Sequence, residues 1–262
     1  MKLFSLENQN ILVTGATGYL GQAMCLGLAE AGANILVNSR SREKAASLVA
    51  RINSLGFKAE TAVFDVTSEE SVCSYSKSIN NMPINCIVSN AYAGGSGTIS
   101  CTEDSDYINS YNVSVVATNR IVRLLMPNLK RSVRESGGAS VVNIASMYGI
   151  VSPDVRIYDS IESSNPPFYG AAKAALIQWT KYAACEFAKE GIRFNSISPG
   201  PFPSNDAQIL VPELMDKLVS KVPMGRIGSA DELQGAVIYL ASNASSYVTG
   251  SNLVVDGGWT SW

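Results

Sequence analysis

The stretch Asn10-Ile11-Leu12-Val13-Thr14-Gly15-Ala16-Thr17-Gly18-Tyr19-Leu20-Gly21 decides the fold. Its first five residues read as a short buried strand. Residues 19–31 then carry a helical pattern, and the turn between them holds Gly15 and Gly18, with Gly21 just inside the helix. Glycines at a strand-to-helix turn let the backbone bend tightly and approach a diphosphate. The start of the helix adds free N–H groups and partial positive charge. Glycines alone would also suit an ordinary turn, so the rest of the chain must support the functional reading.

Outward from this turn, apolar β-rich runs alternate with longer helical patterns. Strands are expected at 10–14, 34–38, 60–64, 85–89, 140–144, 193–197 and 252–255. Helices are expected at 19–31, 42–54, 68–79, 107–130, 168–189, 207–220 and 230–241. Such alternation predicts an α/β fold, a doubly wound, mostly parallel seven-stranded sheet with helices on both faces. Neither an internal repeat nor a linker is visible, so residues 1–262 read as one domain. Ligands of such sheets lie beyond the carboxyl ends of the strands, so the residues after each strand carry the most information.

Composition narrows the function. The chain is 46% apolar and 16% charged, a globular balance. A net charge of −2 without a basic run argues against nucleic acid. No export signal or membrane-spanning run is seen, and five scattered cysteines read as reduced thiols, so a cytoplasmic location is expected. There is no histidine. Serine–histidine catalysis and histidine-ligated metals are excluded, no metal site is expected, and proton transfer falls to other side chains.

The second strand runs into Val37-Asn38-Ser39-Arg40 without an acid. An acid there would suit the free ribose hydroxyl of NAD(H). A hydroxyl beside an arginine suits the 2′-phosphate of NADP(H), which is therefore favoured, with NAD(H) possible. Arg40 and Arg42 would serve equally as solvated charges at a helix start. Asp65, after the third strand, could accept from an adenine amino group or act in capping the next helix.

Tyr169 and Lys173 lie four apart in Tyr169-Gly170-Ala171-Ala172-Lys173, at a helix start that Asn165 could cap and Pro166-Pro167 would suit. A nearby ammonium favours a phenolate, which allows tyrosine to exchange a proton with an alcohol or carbonyl. Ser146 directly follows the fifth strand and could hold the substrate oxygen.

Together these residues resemble the short-chain dehydrogenase/reductase family over nearly the whole chain, and so a Rossmann-type sheet. Ser89-Asn90-Ala91 is similar to the family's Asn-Asn-Ala-Gly segment, and Asn112 falls at its catalytic asparagine. Pro199-Gly200 with Ser204 is similar to its Pro-Gly-x-x-x-Thr segment. The tail motifs Gly225-Arg226-Ile227-Gly228, Val248-Thr249-Gly250 and Val255-Asp256-Gly257-Gly258 resemble the acyl-carrier-protein-reductase-like group.

The resemblance implies a catalytic set. Tyr169 would be the acid/base and Lys173 would lower its pKa and bind ribose. Ser146 would polarise the substrate, and Asn112 would hold a water. It also implies cofactor contacts from Gly15, Thr17, Gly18, Tyr19, Leu20 and Gly21, then Ser39, Arg40, Asp65, Val66, Asn90 and Ala91. Tyr169, Lys173, Pro199, Gly200, Phe202 and Ser204 complete that group.

Three departures stand out. The glycine spacing is closer to sugar-nucleotide epimerases and dehydratases, and Tyr92 replaces a glycine. Residues 151–167 widen the gap between Ser146 and Tyr169. That polar insertion should project over the substrate side, where Arg156 could grip an anion; it could equally be a surface loop. Tyr92, Ser146, Met147 and Arg156 are the candidate substrate contacts. The expected activity interconverts a secondary alcohol and a ketone on a small polar molecule, such as a sugar or sugar phosphate. The insertion with Pro-Pro-x-Tyr resembles flagellin modification oxidoreductases of surface-glycan pathways. Rival readings are an epimerase or dehydratase that retains NAD, and a non-catalytic cofactor-binding protein. The helices at 107–130 and 168–189 are apolar on more than one face, and in the family such helices pack between subunits, so the resemblance implies a homotetramer or at least a homodimer; no membrane partner is expected.

Overall fold

A computed structural model describes residues 2–80 and 82–262. Seven strands, β1 (Asn10–Val13), β2 (Asn34–Ser39), β3 (Lys58–Val63), β4 (Cys86–Ser89), β5 (Ala139–Ile144), β6 (Ile192–Pro199) and β7 (Asn252–Val255), form one sheet. The order is β3-β2-β1-β4-β5-β6-β7 and every neighbouring pair is parallel. The expected Rossmann-type sheet is present.

Side chains alternate between the faces of a strand, and both faces here are covered. On β1, Ile11 and Val13 join one core while Leu12 joins the other. On β2, Ile35 and Val37 part from Leu36 in the same way. The first core is closed by α1 (Tyr19–Glu30) and α2 (Arg42–Ser54), with Met24, Leu28, Leu48 and Ile52. The second is closed by α3 (Glu69–Ser78) and by the helices of the next paragraph, through Val72, Leu125 and Ala183. Burial on both sides explains why central strands such as β1 and β4 read as apolar runs, while the edge strand β3 exposes Lys58, Glu60 and Thr61.

The long helix expected at 107–130 is divided. α4 (Asp104–Tyr111) passes through a π turn at Asn112–Val116 into α5 (Ala117–Ser136). α5 runs past the expected end to the left-handed Gly137. α6 spans Pro167–Phe187. Asn165 does not cap it: Pro166 holds the cap position, no side chain caps the helix, and the Asn165 Oδ1 is buried without a partner. Pro167 starts the helix at the position where a missing N–H matters least.

The helix expected at 207–220 is two, α7 (Asn205–Leu210) and α8 (Pro212–Lys221). Pro212 cannot donate to a preceding turn and it pushes Val211 to ψ 62°. The last helix, α9 (Gln234–Ala241), follows a 3-10 turn at Ala230–Leu233 and packs on the α1 side. Among the described residues, no helix is long and apolar enough to cross a membrane. The cysteines are free thiols, with Cys25 and Cys86 inside the first core.

Candidate active site

A cleft of about 760 Å³ opens at the carboxyl ends of β1 to β4, within the size of small-molecule sites. Gly15, Thr17, Gly18, Tyr19, Leu20 and Gly21 form one wall. Gly15 has φ +59°, and a Cβ there would fall 2.8 Å from the Cα of Ala91. A Cβ on Gly21 would meet the Gly15 carbonyl oxygen at 2.3 Å. The turn therefore requires glycine at both positions. Gly18 stands at the N-cap of α1 without a capping side chain. The first amides of that helix are left to a ligand, as an anion such as a diphosphate requires.

The turn is tied to β4. Asn90 donates its amide to the carbonyl oxygens of Thr14 and Gly15, both at 3.1 Å. The Thr14 hydroxyl accepts from the backbone N–H of Asn90 and of Ala91. Asn90, Ala91 and Tyr92 thus form the cleft's second wall, beside Asn112 at the start of the π turn. A π turn widens the helix by one residue and is frequent at functional sites.

At the far end lie Ser39, Arg40, Asp65 and Val66. The Ser39 hydroxyl accepts from the Ser41 N–H at 3.2 Å. Asp65 Oδ1 accepts from the N–H and hydroxyl of Thr67, at 2.8 and 2.7 Å. Burial pushes this carboxyl up, but the Thr67 bonds and the charges of Arg40 and Arg120 hold it below its usual value. Ser41 and Lys44 also line this end, which sequence reasoning missed. Ser41 caps α2 through Lys44 N–H at 3.2 Å, so Lys44 lies in the helix's first turn. The signal was present as a second cation near Arg40. Arg42, in contrast, is not among the lining residues. The cleft suits a dinucleotide: a turn built on Gly15, Gly18 and Gly21 lies at one end, and Arg40 and Lys44 line the other.

Ser146, Tyr169 and Lys173 are brought together beyond β5. Ser146 follows that strand by two residues and caps a 3-10 turn, accepting from Tyr148 N–H at 3.1 Å. Tyr169 stands in the first turn of α6, and Lys173 one turn later on the same face. The Lys173 ammonium donates to the Ile144 carbonyl at 2.7 Å, which pins α6 to the end of β5. The ammonium is 5.7 Å from the Tyr169 ring centre and 5.1 Å from that of Tyr92. The Tyr92 and Tyr169 rings meet edge to face at 4.8 Å, and the Tyr92 and Ser110 hydroxyls lie 3.1 Å apart. Tyr92, the departure from glycine, therefore connects the dinucleotide cleft with the tyrosine–lysine pair.

Burial governs the electrostatics. It pushes the Tyr169 phenol above its ordinary value, while a hydrogen bond with Ser146 works the other way. It pulls the Lys173 ammonium down to about 8. The lowering of Tyr169 by Lys173 expected from spacing is not found: burial dominates at the phenol, and the ammonium donates to a backbone carbonyl.

Met147 is buried in a cluster with Tyr148, Ile157, Leu218 and Trp259, and Tyr169 packs against it. Pro199 ends β6, and a Cβ on Gly200 would meet Asp256 at 2.5 Å. Ser204 caps α7, and Phe202 packs on Gly228 and the first core. None of these four lines the dinucleotide cleft. Arg156 is not in the site: its side chain is 82% exposed and grips Asp154 through two bonds, at 2.9 and 2.8 Å. An aspartate two residues earlier in the same turn satisfies the guanidinium before any substrate could.

Known proteins share this architecture. Residues 15–260 match the family model described as Enoyl-(Acyl carrier protein) reductase. A gluconate 5-dehydrogenase of Gluconobacter oxydans is 33% identical, covering 98% of this chain and 97% of that protein. A rhamnolipids biosynthesis 3-oxoacyl-[acyl-carrier-protein] reductase of Pseudomonas aeruginosa is 29% identical, covering 98% of both. The crystal structure of a gluconate 5-dehydrogenase from Burkholderia cenocepacia, in complex with NADP and tartrate, superposes with a TM-score of 0.88 at 30% identity. It covers 100% of this chain and 98% of that one. With the glycine turn, the parallel sheet and the serine, tyrosine and lysine beyond β5 all in place, this chain belongs to the short-chain dehydrogenase/reductase family of oxidoreductases.

Proposed function

We propose that the protein is an NADP(H)-dependent oxidoreductase that interconverts a secondary alcohol and a ketone on a small sugar-like substrate. The observation that carries this reading is the packing of Tyr169 and Lys173 against Tyr92, which lines a cleft whose far end holds Arg40 and Lys44. The gluconate 5-dehydrogenases among the similar proteins support a polyhydroxylated substrate.

When bound, the cofactor supplies or accepts the hydride. The chain's own residues orient the reactants and handle the proton. Tyr169 gives its phenolic proton to the carbonyl oxygen in reduction and regains one in oxidation. Ser146 holds that oxygen beside the phenol. Lys173 adds positive charge and binds ribose, and Asn112 links the lysine to solvent through water. Gly15 to Gly21 receive the diphosphate, Asp65 and Val66 flank adenine, and Pro199 to Ser204 cover the nicotinamide. Tyr92 and Met147 face the substrate. Arg156 keeps only an indirect part, through Asp154.

A cation within reach of a 2′-phosphate makes charge-assisted bonds worth roughly 1.5–3 kcal/mol each. The double replacement Arg40→Ala with Lys44→Ala is therefore expected to weaken NADPH binding by at least about 100-fold and to leave NADH within twofold. Titration by cofactor fluorescence checks this, and equal losses for both cofactors would contradict the NADP(H) preference. Turnover of keto-sugar acids, sugar phosphates and simple ketones with NADPH tests the substrate class; activity confined to simple apolar ketones would contradict it.

We extend the proposal to a homotetramer or homodimer serving surface-glycan biosynthesis. An apolar groove of about 650 Å³ between α4 and α6, lined by Tyr107, Ile108, Tyr111 and Ala175, supports association. A monomer in analytical ultracentrifugation would contradict it. The likeness of the insertion to flagellin modification oxidoreductases supports the pathway. Loss of the gene with unchanged surface glycans would contradict it.

A further inference from the structure

The insertion that separates Ser146 from Tyr169 is attached to α8. Asp154 lies at the centre of the attachment. Its carboxylate accepts from the backbone N–H, Nε and Nη2 of Arg156 and pairs with Lys221 of α8. Its side chain is only 17% exposed, and these cations hold its carboxyl well below the usual range. One turn earlier on the helix, Lys217 pairs with Asp159 at 3.0 Å. Between the two ion pairs, Ile157 is 3% exposed and packs in one cluster with Leu214 and Leu218. Leu214, Lys217, Leu218 and Lys221 stand at i, i+3, i+4 and i+7, so one face of α8 supplies both ion pairs and the leucines of the cluster.

This same cluster touches the reacting residue. Tyr169 packs against it, and inside it the Tyr148 and Tyr158 hydroxyls lie 3.1 Å apart. The insertion, from before Tyr169 in the chain, and α8, from after β6, thus share one cluster with Tyr169.

We propose that residues 151–165 and α8 form a two-part cover over the substrate side of Tyr169, clasped through Asp154, and that Asp154 is a positioning residue for substrate. The substrate part of this inference rests on the proposed function; the clasp does not. Asp154 touches no reacting atom. It fixes α8 against the insertion so that the wall bearing Tyr148 and Tyr158 keeps its shape. An exposed ion pair alone contributes little, but a carboxylate shared by two cations beside a buried isoleucine behaves as a network.

The test compares full-length wild type, Asp154→Asn, Lys221→Met and Glu69→Gln. The last breaks the distant Arg123–Glu69 pair. Hydrogen exchange of residues 212–221 reads the clasp without any substrate. It is expected to quicken about tenfold in Asp154→Asn and in Lys221→Met, and to stay unchanged in Glu69→Gln. With NADPH and a polyhydroxylated ketone, Asp154→Asn and Lys221→Met should each raise KM about fivefold or more. Their kcat and NADPH affinity should stay within about twofold. Unchanged exchange in Asp154→Asn or in Lys221→Met overturns the clasp. Faster exchange with unchanged KM overturns the positioning role. If no such ketone is turned over, the proposed substrate class fails while the exchange data still decide the clasp.

Discussion

Tyr169→Phe is expected to lower kcat/KM for carbonyl reduction by about 1,000-fold while leaving NADPH affinity within about twofold. The loss corresponds to about 4 kcal/mol of barrier, within the span attributed to a positioned acid or base. Binding should survive because the phenylalanine ring keeps the edge-to-face contact with Tyr92 and the packing against the Met147 cluster. Only the proton is removed. The pH profile follows from the same burial. Burial holds the Tyr169 phenol above its ordinary value, so near neutrality it carries its proton. Reduction, which consumes that proton, should be level through neutral pH and fall only as pH climbs past the raised value. Oxidation needs the phenolate and should rise over the same range. Stopped-flow hydride transfer in both directions checks the two limbs. Opposite slopes, or a Phe variant within tenfold of wild type, would remove Tyr169 from its assigned role.

The second large effect concerns Lys173. Lys173→Met should lower kcat by about 100-fold or more, because the positive charge near the phenol and the ribose ligand are lost together. Its stability should change in a pH-dependent way. Burial brings the ammonium from 10.5 down to about 8. Between those values the unfolded chain holds this proton while the folded chain releases it. Unfolding free energy therefore rises with pH across that window. The penalty for burying the charge is full below about 8 and gone above 10.5, a difference of about 3 kcal/mol. Methionine carries no such penalty but leaves the Ile144 carbonyl without its donor, a loss that does not vary with pH. Relative to wild type, Lys173→Met should thus lose about 3 kcal/mol between neutral pH and above 10. Urea melts of both proteins across that range measure it. A stability difference independent of pH would contradict the buried-charge account.

Much of this was legible in the chain itself, for identifiable reasons. Central runs such as Ile11-Leu12-Val13 are apolar on both faces because both faces are covered, and their alternation with helical patterns announces a parallel sheet. Gly15 and Gly21 are demanded by backbone contacts closer than any side chain allows. The four-residue spacing of Tyr169 and Lys173 by itself places them on one helix face. Other features leave no such trace. The π turn at Asn112–Val116 is a change in backbone hydrogen bonding that apolar periodicity does not register. The break at Val211-Pro212 is set by the proline, while apolar residues continue on both sides of it and read as one helix. Asn165 suits a cap by type, yet the two prolines set the chain's entry into α6 and leave its amide unused. Arg156 suited an anion by charge, and its capture by Asp154 depends on a 3-10 turn that the polar run did not declare. Residue type proposes a partner, and local backbone geometry decides which partner is reached first.

The most direct test of the central claim is a crystal structure of the protein soaked with NADPH. The account predicts the 2′-phosphate at Arg40 and Lys44, the diphosphate on the Gly15–Gly21 turn, and the nicotinamide against Tyr169 with its ribose on Lys173. A dinucleotide lying elsewhere, or a nicotinamide turned away from Tyr169, would contradict it.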